Sequence, residues 1–365
     1  MTIIFFSRLF YPHIGGVETH VLEVAKRLVK KGHRVIVITE NYQSNDKSDS
    51  ITGEVEGIEI RRIDVGQDNY KKKFKIWWRL FSLRQLIKNA DIVHCHDVFF
   101  WYLPFRFLYP NKKVYTTFHG YETKFPPSKK AILVRKISEK LCWGNICVGD
   151  YIRKWYGTNS DYITYGGIDV HLGGAERLML SSPSEVPISM HNYHATVRGS
   201  YAKGIKILFI GRLEEDVGIP IYLRAMDVLN KKRVRFTFEA CGDGILRRVA
   251  MKYGKVFGFV KDMDKYIERS DFVFTSSYLS ILEAIYRGKI VFSVFQNKLK
   301  EDYLKMSPFA KLIVIENSPE KVAQRIEYFI KQFEIKEKIV NAGYEWVKTQ
   351  TWDNVVKLYI RLWKL

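Results

Sequence analysis

Asp271–Val294, DFVFTSSYLSILEAIYRGKIVFSV, decides how this chain is read. Phe272–Phe274 is a short apolar run, the mark of a strand buried on both faces. Ser276 and Ser277 are candidate helix caps. Leu279, Leu282, Ile285 and Tyr286 then recur at helical spacing, and Gly288 stands where a left-handed stop belongs. Ile290–Val294 returns as a second buried strand. The stretch predicts a βαβ unit whose helix N-terminus faces outward at the carboxyl end of a strand. Free N–H groups and the positive end of the helix dipole suit a phosphate there. Glu283 is placed in the first turn, where a carboxylate beside a phosphate site can bind sugar hydroxyls. Ser280-Ile281-Leu282-Glu283 also spells a capping box, S-x-x-E, in which Glu283 only satisfies a backbone N–H. Both roles stay open on this stretch alone.

The same alternation extends in both directions. Ile3–Phe6 is a strand, followed by a loop to Gly15-Gly16. A helix then carries Val17, Val21, Val24, Ala25, Leu28 and Val29 on one face, and Gly32 ends it. The glycine pair lets a ligand approach the backbone, although it lacks the full G-x-G-x-x-G spacing. Further strands are predicted at Val35–Thr39, Ile58–Ile63, Ile92–His94, Val114–Phe118, Asn145–Val148 and Tyr162–Tyr165, with a polar loop over Asn41–Asp49. Strands alternating with helices imply a parallel, doubly wound sheet, whose ligands sit at the carboxyl ends of strands. The residues just past those ends are Gly15, Gly16, His96, Asp97, His119 and Glu122.

Residues 171–204, with Ser181-Ser182-Pro183-Ser184, break the rhythm and predict a linker. A second series follows: Ile207–Ile210, Phe236–Ala240, Val256–Phe259, Phe272–Phe274, Ile290–Ser293 and Leu312–Ile315. The expected fold class is α/β, with two Rossmann-like doubly wound domains, residues 1–170 and 205–345, facing each other across a cleft. Residues 346–365 are expected to form a C-terminal helix packing back on the first domain. Trp346, Trp352, Tyr359 and Trp363 are its apolar anchors.

At 365 residues and 47% hydrophobic, the chain can bury two ordinary cores. Met1–Ser7 enters an apolar strand without a basic n-region or cleavage site, and no apolar run is long enough to span a bilayer. The expected location is cytoplasmic. Cys95, Cys142, Cys147 and Cys241 show neither metal-ligand pairing nor a disulfide framework. Lys and Arg outnumber Asp and Glu by 59 to 39, a net charge of +20, which favours an anionic partner.

Several stretches together resemble the family-four retaining glycosyltransferases of the GT-B fold. They are Tyr11-Pro12-His13-Ile14-Gly15-Gly16-Val17-Glu18, Gly32-His33, Asp91–Asp97, Phe118-His119-Gly120 and Gly166-Gly167-Ile168-Asp169. The second half adds Gly211-Arg212-Leu213, Gly242-Asp243-Gly244 and Leu282-Glu283-Ala284, all in family order. The resemblance implies a sugar transferred from a nucleotide-diphosphate donor to a lipid-linked or cell-envelope glycan, with no cofactor and no metal. Arg212 matches the arginine on the diphosphate, where a guanidinium fork fits two oxygens. Glu283 matches the glutamate on the ribose, and His119 a histidine near the reacting sugar. Gly15, Gly16, Gly242, Gly244, Ser277 and Leu279 fall with the donor-binding set, the first two matching the loop that approaches the donor phosphates or the acceptor. His13, Glu18, His96, Asp97 and Glu122 fall on the acceptor side or in the cleft.

Two departures stand out. Val217 occupies the place of the family's lysine after the arginine, and the shortened Ser276–Leu279 segment lacks the family's earlier glutamate. Arg247, Arg248 or Lys298 is a candidate for the missing charge. The alternative function is a degenerate GT-B scaffold without transferase activity.

The remaining signals are weaker. Asp262-Met263-Asp264 spells D-x-D, but in a loop before a helix, where aspartates cap. His94 and His96 share a strand face and offer two zinc ligands without a third. Tyr70–Arg84, YKKKFKIWWRLFSLR, and Phe99–Tyr109, FFWYLPFRFLY, mix cations with aromatics. Such a surface can rest on anionic headgroups at the inner face of a membrane. Burial against the sheet is the other account of these helices. No nucleic-acid motif accompanies them, so nucleic acid is not an expected partner.

Overall fold

The computed structural model describes residues 1–13, 15–41, 52–66, 72–120, 125–170 and 204–365. Glu122, Ile14, the loop over 42–49, Tyr70 and the linker over 171–203 lie outside them. The chain divides into two compact units: Met1–Gly166 together with Trp352–Leu365, and Gly167–Thr351.

Among the described residues, the first unit has strands β1 (Thr2–Ser7), β2 (Arg34–Glu40), β3 (Thr52–Val55), β4 (Ile58–Ile63), β5 (Ile92–His96), β6 (Val114–Phe118), β7 (Asn145–Val148) and β8 (Tyr162–Thr164). They form one sheet in the order β3-β4-β2-β1-β5-β6-β7-β8. All neighbours pair in parallel except β3 with β4. Ile3–Phe6 of β1 are fully buried, as a central strand covered on both faces must be. The edge strand β3, TGEV, is half exposed and antiparallel, so no apolar run announces it. β5 keeps pairing through His96, which is 1% exposed. His96 therefore lies within the strand, under the Phe5 ring edge, and not past its end at an open site.

The helix Gly16–Lys30 turns His20, Val21, Val24, Ala25 and Leu28 inward. The last helix of the chain, Trp352–Trp363, packs against it and buries Trp352, Val355, Val356, Tyr359, Leu362 and Trp363. The preceding helix, Phe333–Val347, belongs to the second unit.

The second unit has β9 (Ile205–Ile210), β10 (Phe236–Cys241), β11 (Lys255–Gly258), β12 (Phe272–Phe274), β13 (Ile290–Val294) and β14 (Val314–Glu316). Their order is β11-β10-β9-β12-β13-β14, all parallel. In each sheet the strand order reverses beside the first strand of the unit, at β1/β5 and at β9/β12. That reversal opens the crevice in which doubly wound sheets hold ligands.

The deciding stretch folds as β12, the helix Tyr278–Tyr286 and β13, with Gly288 at φ +67°. Its details differ from the sequence expectation. The helix begins at Tyr278, whose N–H donates to the Tyr303 hydroxyl at 3.1 Å. Ser280 and Glu283 therefore both lie inside the helix, no capping box forms, and Glu283 falls in the second turn.

Candidate active site

Arg212 stands two residues past β9, at the reversal of strand order. Its side chain is 55% exposed, and Nη2 donates to Asp216 Oδ2 at 2.6 Å. The ends of β9 and β10 are laced together by their backbones: Gly211 N–H donates to the Cys241 carbonyl at 3.1 Å and Leu213 N–H to that of Asp243 at 2.8 Å. A Cβ on Gly242 would lie 1.8 Å from the Gly211 oxygen, and one on Gly244 2.5 Å from that of Leu213. These two glycines are thus required by the crossing of two chains, whatever else they touch.

Past β12, Ser277 is the exposed N-cap residue of the Tyr278–Tyr286 helix, and its hydroxyl donates to Ser280 Oγ at 3.2 Å. Leu279 and Glu283 are half-buried. Burial, with Asp264 adding repulsion, pushes the Glu283 carboxyl up to about 7; Arg287 opposes the shift and Asp169 adds to it. Asp264 pairs with Arg287, and Asp262 accepts the Asp264 N–H at 3.2 Å. The D-x-D aspartates therefore close a turn and an ion pair, while Met263 takes the N-cap place.

The cations proposed to stand in for the lysine missing at 217 are all at least partly exposed. Arg247 is paired with Asp243 at 2.7 Å, Arg248 is exposed on the same short helix, and Lys298 is an exposed partner of Glu301 at 2.9 Å. Val217 closes a 3-10 turn, Glu215–Val217, and packs on the core. The cation that sequence reasoning missed is Lys300, which is 9% exposed. Its Nζ donates to the Ser276 carbonyl at 2.8 Å and lies 3.8 Å from the centre of the Tyr303 ring. A signal was present: Lys300 is four residues before the buried Leu304 and shares its helix face.

In the first unit, Gly15 is extended, and a Cβ there would meet Glu18 Oε2 at 2.2 Å; around Gly16 there is open space. Glu18 Oε1 lies 3.3 Å from His13 Nδ1, and burial raises the Glu18 carboxyl against the pull of its own backbone N–H and of His13. Asp97 follows β5 in the left-handed region, φ +60°, and its Oδ1 accepts the His119 N–H at 3.0 Å. His119, Asp97, Val17, Phe118, Gly120 and Arg135 line a cavity of about 360 Å³.

Arg135 also escaped the sequence reading. It is 7% exposed, donates to the Gly120 carbonyl at 2.6 Å and lies 4.1 Å from the Tyr156 ring centre; its Nη1 is buried without a hydrogen-bond partner.

Beneath His119 lies a buried floor of aromatic and imidazole rings. His96 Nδ1 is 2.9 Å from His119 Nε2, and the His20 ring meets His119 edge-on at 4.7 Å. Trp363 Nε1–H donates to His94 Nδ1 at 3.1 Å, so His94 Nε2 carries the proton that reaches Thr117 Oγ1 at 2.7 Å. The hydroxyls of Thr117 and Tyr359, 2.9 Å apart, continue the chain to His20 Nε2 at 2.9 Å. Burial holds His94, His96 and His119 well below the usual histidine range and His20 at about 3, so the cluster is neutral. Both His94 nitrogens are taken, which removes it as a zinc ligand. Among the described residues, no helix is long and apolar enough to cross a membrane.

Two doubly wound parallel-sheet units are the architecture of the GT-B fold. Glycosyltransferase Family 4 matches residues 14–171 and Glycosyl transferases group 1 matches residues 194–346, so the chain belongs to the family-four, group 1 type of glycosyltransferase. An uncharacterized glycosyltransferase of Methanocaldococcus jannaschii is 22% identical over 96% of this chain and 95% of its own length. A human phosphatidylinositol N-acetylglucosaminyltransferase is 42% identical over 26% of this chain, and the match spans only 19% of that protein. Anabaena HepE, solved with UDP and glucose, superposes at a TM-score of 0.69 with 14% identity, over 99% of this chain and 98% of HepE.

Proposed function

We propose that this glycosyltransferase takes its sugar from a nucleotide-diphosphate donor and delivers it, with retention and without a metal ion, to a lipid-linked or cell-envelope glycan. The observation that carries the donor half is the exposed guanidinium of Arg212 past β9, beside the strand that leads to Ser277 and Glu283. In this proposal Arg212 holds the diphosphate and Glu283 the ribose hydroxyls. Ser277, Leu279, Gly242 and Gly244 shape the walls. In the first unit the open space at Gly16, beside Gly15, admits the ligand, and His13, Glu18 and Asp97 lie on the acceptor side. His119, kept neutral by its buried floor, accepts a hydrogen bond from a sugar hydroxyl.

The proposed step breaks the bond between the anomeric carbon and the diphosphate oxygen through an oxocarbenium-like state. The acceptor oxygen enters on the same face, and its proton passes to the departing phosphate oxygen. Arg212 stabilises the charge that gathers on the leaving group. HepE, with its UDP and glucose, supports the donor class. The phosphatidylinositol-acting relatives, though matched over a fifth of their length, support a lipid-linked acceptor. The exposed aromatic and basic residues of the helix Lys72–Ser82 support work at the cytoplasmic face of a membrane. The packing of Val217 on the core favours one competing account, a scaffold that has lost donor binding.

Thermal shift against UDP, GDP and ADP sugars separates the two. One donor is expected to raise the melting temperature, and Arg212→Met to abolish that rise and lower transfer roughly a hundredfold. A protein indifferent to the whole panel is the scaffold.

A further inference from the structure

The sequence departs from its family where a lysine should share the diphosphate charge, and the structure disposes of the vacant position. Val217 is partly buried against the core and carries no charge to share. A different element supplies a cation. Asn297 caps the helix Lys298–Lys305 through its side chain, which accepts the Lys300 N–H at 2.9 Å. That cap sets the start of the helix, and the buried Leu299 and Leu304 mark its inward side. Lys298 and Lys305 point out to Glu301, while Lys300 turns inward with Leu304.

The Lys300 ammonium reaches the carbonyl of Ser276, the residue before the exposed N-cap Ser277. It feels the charges of both Asp216 and Arg212, the ion pair past β9. Neighbouring parallel strands β9 and β12 thus send Arg212 and Lys300's carbonyl partner to the same, carboxyl end of the sheet.

We infer that Lys300 is the second cation of the donor-diphosphate subsite, standing in from the helix Lys298–Lys305 for the family lysine displaced at Val217. The inference rests on the donor assignment made above.

Its physical signature is cost without a matching partner. A buried ammonium is normally neutralised by a buried carboxylate, yet the polar partner of Lys300 is a neutral carbonyl, and Asp216 is already paired with Arg212. The Tyr303 ring supplies a quadrupole, not a charge. Burial accordingly pulls the Lys300 ammonium down to about 7, which a diphosphate arriving at Arg212 would reverse. A lysine kept for folding would cost stability when replaced by an apolar chain, whereas one kept for a ligand would not.

Calorimetry with UDP, GDP and ADP, and with the matching nucleosides, tests this on the full chain. The diphosphate that binds the wild type is expected to bind Lys300→Met roughly ten- to a hundredfold more weakly, the loss of one charged hydrogen bond. The nucleoside is expected to bind both alike. Lys300→Arg is expected to recover most of the diphosphate affinity, and unliganded Lys300→Met to melt no lower than the wild type. If Lys300→Met fails to fold, Lys300→Gln takes its place in the same comparison. Equal diphosphate affinity in wild type and variant overturns the inference, and so does equal weakening of nucleoside and diphosphate, which marks a structural role. A wild type that binds none of the three diphosphates sinks the donor assignment itself, and this inference with it.

Discussion

Glu283 and Lys300 approach neutrality from opposite sides, and their titrations act oppositely on ligand binding. The carboxyl is raised to about 7, first by burial and then by Asp264 and Asp169 against Arg287. The ammonium is lowered to about 7, first by burial, with Asp216 resisting and Arg212 adding. In the proposed site, ribose hydroxyls are held more strongly by the ionised carboxylate, and a diphosphate by the protonated amine. Affinity for the nucleoside diphosphate is therefore expected to peak near pH 7, falling on the acid side as Glu283 takes a proton and on the alkaline side as Lys300 loses one.

Stability without ligand follows the other sign. Between pH 4.5 and about 7 the folded state holds the Glu283 proton that the unfolded chain has released, so stability falls as pH rises. Between about 7 and 10.5 the unfolded chain holds the Lys300 proton that the folded state has released, so stability rises with pH. Calorimetric titrations at half-unit pH steps check the binding profile. Glu283→Gln is expected to flatten the acid limb and Lys300→Arg the alkaline one. A wild-type profile that is level from pH 5.5 to 8.5 removes both groups from the ligand.

At the scale of elements, legibility tracked burial. β12, β6 and β7 match the expected strands residue for residue, because parallel strands covered on both faces stand out as short buried runs. β4, IEIRRI, matches through the opposite signal, alternation of buried isoleucines with half-exposed Glu59 and Arg61. β3 escaped because Gly53 and Glu54 give a half-exposed edge strand no apolar run. The S-x-x-E pattern misled because it is local, while the helix start is met from another helix by Tyr303. Lys300 escaped because a lysine beside Lys298 and Glu301 looks like part of a solvated face; its spacing from the buried Leu304 was the one signal that it turns inward.

The terminal helix Trp352–Trp363 was legible as an apolar anchor, but its polar work was not. Trp363 and Tyr359 are fully buried and feed the hydrogen-bond chain through His94 and Thr117 to His20 under His119. Trp363→Ala is expected to cost about 4 kcal/mol, the usual penalty for emptying a large aromatic site, and to leave His94 Nδ1 unmet. Tyr359→Phe is expected to cost about 1–3 kcal/mol through two orphaned partners. Denaturant unfolding with a probe in each unit is the check. Both losses should appear in the unit that contains residues 1–166, and a loss confined to the other unit would refute the assignment.

Over the whole molecule, the surplus of 20 positive charges and the pattern of exposed aromatics bear on one question, where the enzyme meets its acceptor. The helix Lys72–Ser82 buries Ile76 and Leu80 against the first unit, the ordinary fate of an amphipathic helix. The same helix leaves Phe74 67%, Trp78 69% and Phe81 49% exposed, and Phe107 of the helix Phe99–Leu108 is 72% exposed. Arg79 lies over the Trp78 ring at 5.0 Å and Arg84 over Phe81 at 4.8 Å, so cations crown the apolar face. Scattered apolar residues are common on any surface, but aromatic side chains flanked by arginine are suited to the headgroup layer, where rings enter and guanidiniums meet phosphate.

The expected behaviour is binding to vesicles containing anionic lipid, weakened by salt because each basic contact contributes about 1 kcal/mol near a charged bilayer. Co-sedimentation with phosphatidylserine-containing vesicles, against pure phosphatidylcholine, measures it. The double variant Phe74→Ser, Trp78→Ser is expected to lose most of the bound fraction without changing the melting temperature, since neither residue is buried. A bound fraction indifferent to lipid charge, or unchanged in the double variant, would place the acceptor in solution and leave the basic surplus to the donor phosphates.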